Sequence, residues 1–248
     1  MIKHIKYFIW VVLLAVVSCS QTKKKYGPDD YLYRVIDTSG EYQQFGYKDK
    51  DGEIAIPFGK YKWAYLDTIK TIGFVLSDEG EWAIDKNGEK LFKVYPSPNN
   101  GPDEVNEGVF RILDENDLVG YANMNGQVVI PPRFTHASPF REGLASFCEG
   151  CKTGKYKQSM EVYIREFRKN GDSLTVYTYA KYGFINANGD TIIAPIYDHV
   201  GSFKEGVVRV LKDRRSYCID KTGKEMPNAP CKNSQTIDLY DRVRYVDI

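Results

Sequence analysis

Histidine is nearly missing from this sequence, with three in 248 residues. Only His136 and His199 lie beyond the N-terminal segment, too few for a histidine-built metal centre. An excess of charge of one sign is missing too. Thirty-four Lys and Arg face thirty-three Asp and Glu, which removes the basic surplus expected of a nucleic-acid binder. After residue 17 no long apolar run occurs, and no stretch keeps a helical period. There is no GxSxG elbow, no HExxH pair and no phosphate-cradling glycine loop. Asp and Glu are frequent but sit mostly in turns, and nothing singles out a carboxylate pair of glycosidase type. No catalytic residue, no metal and no cofactor is expected on these grounds.

What is present begins at the N-terminus. Lys3 and Lys6 precede Tyr7 to Val17, eleven apolar or aromatic residues. That is short of the about 20 residues a spanning helix needs and fits the apolar core of a signal peptide. Val16-Val17-Ser18-Cys19 resembles the lipobox of bacterial lipoproteins. The resemblance implies cleavage after Ser18, acylation of Cys19 (a membrane anchor) and a place in the bacterial cell envelope. Ser20 in place of Asp implies, by the same family rule, the outer membrane. The expected organisation is a signal peptide at 1–18, a lipidated tether at 19–30 and one domain at 31–248. Loss of Lys3 and Lys6 leaves the mature chain near −1.

A unit recurs along that domain. Its clearest copies are Gly120 to Phe134 (GYANMNGQVVIPPRF) and Gly183 to Tyr197 (GFINANGDTIIAPIY). Matching the residue after the leading aromatic places the starts at Gly46, Ala83, Gly120, Gly183 and Cys218, in steps of 37, 37, 63 and 35 residues. Each copy has a short segment and a turn ending in Gly52, Gly88, Gly126, Gly189 or Gly223, where a tight hairpin needs positive φ. A β-branched segment follows in most, expected to end at Pro57, Pro131 or Pro195. A Glu-Gly step at Glu107, Glu142 or Glu205 then opens a third, alternating strand. Repeats are placed near 45–80, 81–118, 119–150, 182–215 and 216–230, with Tyr31 to Asp37 and Ser234 to Ile248 as end caps. His136 and His199, 63 residues apart, fall at equivalent positions.

This pattern resembles the WG repeat of bacterial proteins, on Gly120, Tyr121, Gly126, Ile130, Pro131, Pro132, Phe140, Glu142 and Gly143 above all. The second copy departs from it at Trp82-Ala83 and lacks the Ile-Pro-Pro segment. The resemblance implies an interaction role and carries no catalytic residue across. The fold class is all-β: tandem β-meanders in an open twisted array, or alternatively a propeller of four or five blades.

Four further cysteines, Cys148, Cys151, Cys218 and Cys231, suit disulfides in an exported chain and allow three pairings. A thiol redox role for Cys148-Glu149-Gly150-Cys151 lacks the following apolar helix, and a four-cysteine zinc site lacks a second CxxC. The long step holds an insertion, 152–181, read as a β-hairpin about Asn170-Gly171. Its Tyr156, Tyr163, Arg165, Arg168, Tyr177 and Tyr179 are the candidate binding residues, for a sugar or a peptide. The expected function is a non-enzymatic envelope scaffold or binding module whose partner is an envelope protein. A glycan-binding surface lipoprotein is the alternative, and an unrecognised hydrolase or thiol oxidoreductase a third reading.

Overall fold

Five Asx turns set the pitch of the chain. Asp49 Oδ1 accepts from the amides of Asp51 and Glu53, and Asp85, Asn123, Asn186 and Asp220 repeat the pair of bonds at 2.8–3.1 Å. The glycine three residues on has φ between 70° and 86° in every case, which an L side chain adopts only with strain. A computed structural model describes residues 26–149, 151, 167–170, 173–176, 181–213, 215–227 and 231.

Around these turns run five antiparallel units. The first holds β1 (Leu32–Asp37), β2 (Gln44–Lys48) and β3 (Ile54–Tyr61). The second holds β4 (Trp63–Ala64), β5 (Thr68–Ile69), β6 (Gly73–Ser77), β7 (Gly80–Ile84) and β8 (Lys90–Val94). The third has β9 (Pro96–Ser97), β10 (Gly101–Pro102), β11 (Val109–Leu113), β12 (Val119–Asn123) and β13 (Val128–Phe134). The fourth has β14 (His136–Ala137), β15 (Ala145–Glu149), β16 (Phe167–Asn170), β17 (Ser173–Val176), β18 (Lys181–Ile185) and β19 (Thr191–Tyr197). The fifth has β20 (His199–Val200), β21 (Val207–Lys212) and β22 (Arg215–Asp220). The sheets run β3-β2-β1-β5, β13-β12-β11-β8-β7-β6-β4, β14-β15-β18-β19 and β20-β21-β22, with two small pairs, β10-β9 and β16-β17. In the last three units the strand after the Glu-Gly step (β11, β15 or β21) pairs with the first strand of the following motif (β12, β18 or β22), so the meander begins one strand earlier than the sequence motif.

The prolines depart from expectation. Pro57, Pro131 and Pro195 lie inside β3, β13 and β19 and do not end them. These are edge strands, and the prolines sit in bulges where no ladder donor is needed. Between Val119 and Tyr121 the opposite strand runs from Phe134 to Ile130, so it swells against Gly120. A Cβ on Gly120 would lie 2.5 Å from Pro132 N and 2.6 Å from the Ile130 carbonyl. Only glycine fits beneath that bulge.

Two equivalences shift by one residue for the same reason. Arg34, Phe74, Arg111, Ser146 and Arg209 stand opposite Tyr47, Ala83, Tyr121, Phe184 and Cys218. Trp82 and Tyr217, and not Ala83 and Cys218, therefore occupy the glycine position. The second unit has no Ile-Pro-Pro bulge, and Lys93 pairs directly with Trp82, so an indole fits where a bulge would exclude it.

Burial follows the units pairwise. One core joins the first and second through Tyr47, Ile56, Val75 and Ile84, and another joins the second and third through Phe74, Ala83, Phe110 and Ile112. Tyr121, Phe134, Phe140 and Phe147 join the third and fourth, and Leu144, Phe184, Val208 and Ile219 the fourth and fifth. No core among the described residues joins the first unit to the last, and no sheet closes. The architecture is an open β-array, in which each interface supplies the burial that one meander lacks.

Candidate functional site

Two features repeat along the array: a set of clamps between units and an exposed apolar edge. The clamps come from strand positions that face the next unit. Tyr47 donates its hydroxyl to the Leu66 carbonyl and Tyr121 to that of Ser138, both at 2.6 Å. Tyr61 donates to the Gly88 carbonyl at 2.8 Å. Burial pushes the phenols of Tyr47 and Tyr61 up to about 12 and raises Tyr121 as well, so each remains a donor.

Arginine supplies a parallel set. Arg34 donates to the Ala64 carbonyl at 2.8 Å and Arg111 to that of Ala137 at 3.1 Å. Arg111 is buried, and the Asp103 carboxylate accepts from its Nη2 at 2.6 Å, its Nε at 3.0 Å and its backbone amide at 2.8 Å. The guanidinium also stacks 3.9 Å from the Tyr95 ring. Burial works against the charged form, but the bonds and charge of Asp103 more than offset it and hold Arg111 above its ordinary range.

The Glu-Gly steps form a third set. Each is a two-residue hairpin turn, as in the paired Asn106–Val109 bonds of 2.8 and 3.0 Å. Glu107, Glu142 and Glu205 sit at φ of 51–54°, unusual for a side chain of this size. That conformation aims the carboxylate at the next unit. Glu107 accepts from the Gly143 amide at 2.9 Å, and Glu142 from the Glu205 and Gly206 amides at 2.6 and 2.9 Å. The Gly206 amide is the main cause of the lowered Glu142 pKa.

The exposed positions lie at the start of the strand after each Asx turn: the edge strands β3, β13 and β19, and β8, which lies inside the seven-stranded sheet. Ile54 and Val128 share one register position; Leu91, Val129 and Ile192 share the next. All five are 38–48 % exposed. The β-branched doublets Val128-Val129 and Ile192-Ile193 are visible in the sequence, but exposure is not, because in β3, β13 and β19 the third residue of the run, Ile56, Ile130 or Ile193, is the buried one.

The histidines open equivalent short strands, His136 opposite Cys148 and His199 opposite Leu211. The Tyr182 ring lies between them, 6.2 Å from His136 and 6.3 Å from His199. Burial lowers the pKa of both, and the charge of Arg111 lowers that of His136 further. No metal-binding cluster occurs among the described residues. A shallow depression of about 200 Å³ between the first two units is lined by Gln43, Lys60, Lys62, Ser77 and Asp78. Its Ser77 is engaged in its own turn, donating to the Gly80 carbonyl at 3.3 Å.

Of the sequence-derived sites, the cysteines pair locally, Cys148 with Cys151 and Cys218 with Cys231. In the insertion, β16 and β17 pair antiparallel with Asn170 opposite Ser173. Arg168 lies on β16. Cys19 and its lipobox, Tyr156, Tyr163, Arg165, Tyr177, Tyr179 and the cap at Ser234 to Ile248 lie outside the described residues.

No curated protein matches the chain. The family model of the WG containing repeat matches residues 45–66, 120–156 and 182–214. These stretches hold Gly46, Gly120 and Gly183 with their bulged edge strands, and omit the β-strands carrying Trp82 and Tyr217. Over these three stretches the chain carries WG-containing β-repeats.

Proposed function

We propose that this protein is a lipid-anchored, non-enzymatic lipoprotein of the bacterial envelope that serves as a protein-interaction scaffold. The Lys-rich start, the eleven-residue apolar run and the lipobox-like Val16-Val17-Ser18-Cys19 support acylation of Cys19 and an outer-membrane position. The observation that carries the interaction role is the repeated exposed edge. Val128, Val129 and Ile192 sit on outer strands β13 and β19, whose free backbone edges suit pairing with an extended segment of an envelope protein. Each such side chain is 38–45 % exposed, so covering the remainder contributes about 1 kcal/mol.

The test is photo-crosslinking in intact cells from residues placed at Val129 and Ile192. A reproducible protein adduct that is lost in Ile192→Glu supports the proposal. Recovery of only abundant neighbours, unchanged by Ile192→Glu, refutes it. Glycan binding is the second reading, favoured by Trp63, Tyr33 and Tyr42 of the first two units, which are 44–75 % exposed. A glycan array without signal above background removes it.

A further inference from the structure

The fifth unit repeats the clamp of the first and third with different chemistry. Register places Arg34, Arg111 and Arg209 at one position, opposite Tyr47, Tyr121 and Cys218. In the first unit Arg34 holds the carbonyl of Ala64, the second residue of the next short strand, and Tyr47 holds Leu66 two residues on. In the third unit Arg111 holds Ala137, again second in its short strand, and Tyr121 holds Ser138. In the fifth, Arg209 donates to the carbonyl of Cys231 at 2.9 Å, and Cys218 is bonded to Cys231 itself. Both clamp positions converge on one residue.

We infer that Cys231 caps the fifth unit, seated where the short opening strand of a following unit would lie, and that the Cys218–Cys231 disulfide is its latch. A covalent bond replaces the tyrosine hydroxyl bond that holds the same place in the earlier units. The replacement meets a local need. Strand pairing beyond β22 is short: the Asp220 amide on the Lys224 carbonyl at 2.9 Å, the Ile219–Glu225 bridge and the Met226 amide on the Cys218 carbonyl at 2.8 Å. No full third strand holds the cap from that side among the described residues.

The latch makes the end of the array redox-sensitive. A dithiol reductant attacks one sulfur, the Cys218–Cys231 bond breaks, and a mixed disulfide forms. The second thiol of the reductant then resolves it. Two electrons and two protons pass to Cys218 and Cys231, and the reductant leaves as its own disulfide. The Arg209 bond to the Cys231 carbonyl is then what remains of the clamp.

Hydrogen exchange on the full chain tests this. Cys148→Ser/Cys151→Ser is introduced so that dithiothreitol has one target, and the unmodified chain is run beside it. Reduction is expected to speed exchange in β21 and β22 by roughly a hundredfold, the loop-closure effect of a disulfide of this span. Exchange in β12 of the third unit is expected to stay as it was. Cys218→Tyr/Cys231→Ser, which restores the tyrosine clamp, should exchange more slowly in β22 than Cys218→Ser/Cys231→Ser and ignore dithiothreitol. Unchanged exchange in β22 on reduction, or a tyrosine variant no better protected than the serine variant, overturns the inference.

Discussion

Replacing Asp103 with alanine strands a charge. In the native chain its two oxygens receive three bonds from Arg111, and the side chains are only 4 % and 9 % exposed. Removing the carboxylate leaves the guanidinium with the Ala137 carbonyl and the Tyr95 ring, without a counter-charge. Breaking a buried pair from one side costs about 3–5 kcal/mol. For a domain of this size that is a fall of about 6–20 °C in melting temperature. Arrays of repeats need not unfold in one step, so calorimetry is best paired with exchange in β11 and β12. The second variant is the sharper one. Asp103→Ala with Arg111→Met removes the stranded charge and should be more stable than Asp103→Ala alone. A double variant as unstable as the single one, or a single variant costing under about 1 kcal/mol, would refute the reasoning, because it would mean the pair is solvated.

Gly120→Ala should destabilise the third unit by about 2 kcal/mol or more, as its Cβ meets backbone atoms that cannot turn aside; urea melts check this, and Trp82→Ala in the second unit serves as the unbulged comparison. Acidification should loosen the junction of the third and fourth units. His136 has its pKa lowered by burial and by Arg111, so the unfolded chain takes up its proton first. Stability from this residue is full above its unfolded value of about 6.5 and declines as pH falls through the interval below it. His136→Phe should flatten that part of the pH–stability curve, and an unchanged curve would remove His136 as its source.

Much of the unit was legible because its signals are local. An Asx residue and a glycine three positions on are enough to fix a turn, and five such turns announce five hairpins. The Glu-Gly steps and the matched histidines were equally visible at fixed spacing. The prolines misled because a proline ends a strand only where its missing donor is needed, and on an edge strand with a bulge it is not. Trp82 and Tyr217 slipped by one residue because aromatic matching competed with the turn as the anchor. The register between strands decides for the turn. The clamps were hidden for another reason. Asp103 pairs with Arg111 inside the third unit but across eight residues of irregular chain, and Glu142 reaches amides 63 and 64 residues on in the next unit, so neither follows a regular strand or turn spacing.

One connection differs in length from meander to meander. The link between the first two long strands is Asp78-Glu79 in the second unit and Asp114 to Leu118 in the third, yet in the fourth it spans 150–180. The long version leaves β15 and β18 paired residue for residue, from Ala145–Ile185 to Glu149–Lys181. The array therefore has a docking port in its own chain, a position where foreign sequence can be spliced without disturbing the stacking. A small folded domain inserted between Asp78 and Glu79 should leave β6 and β7 paired, as the 150–180 connection leaves β15 and β18.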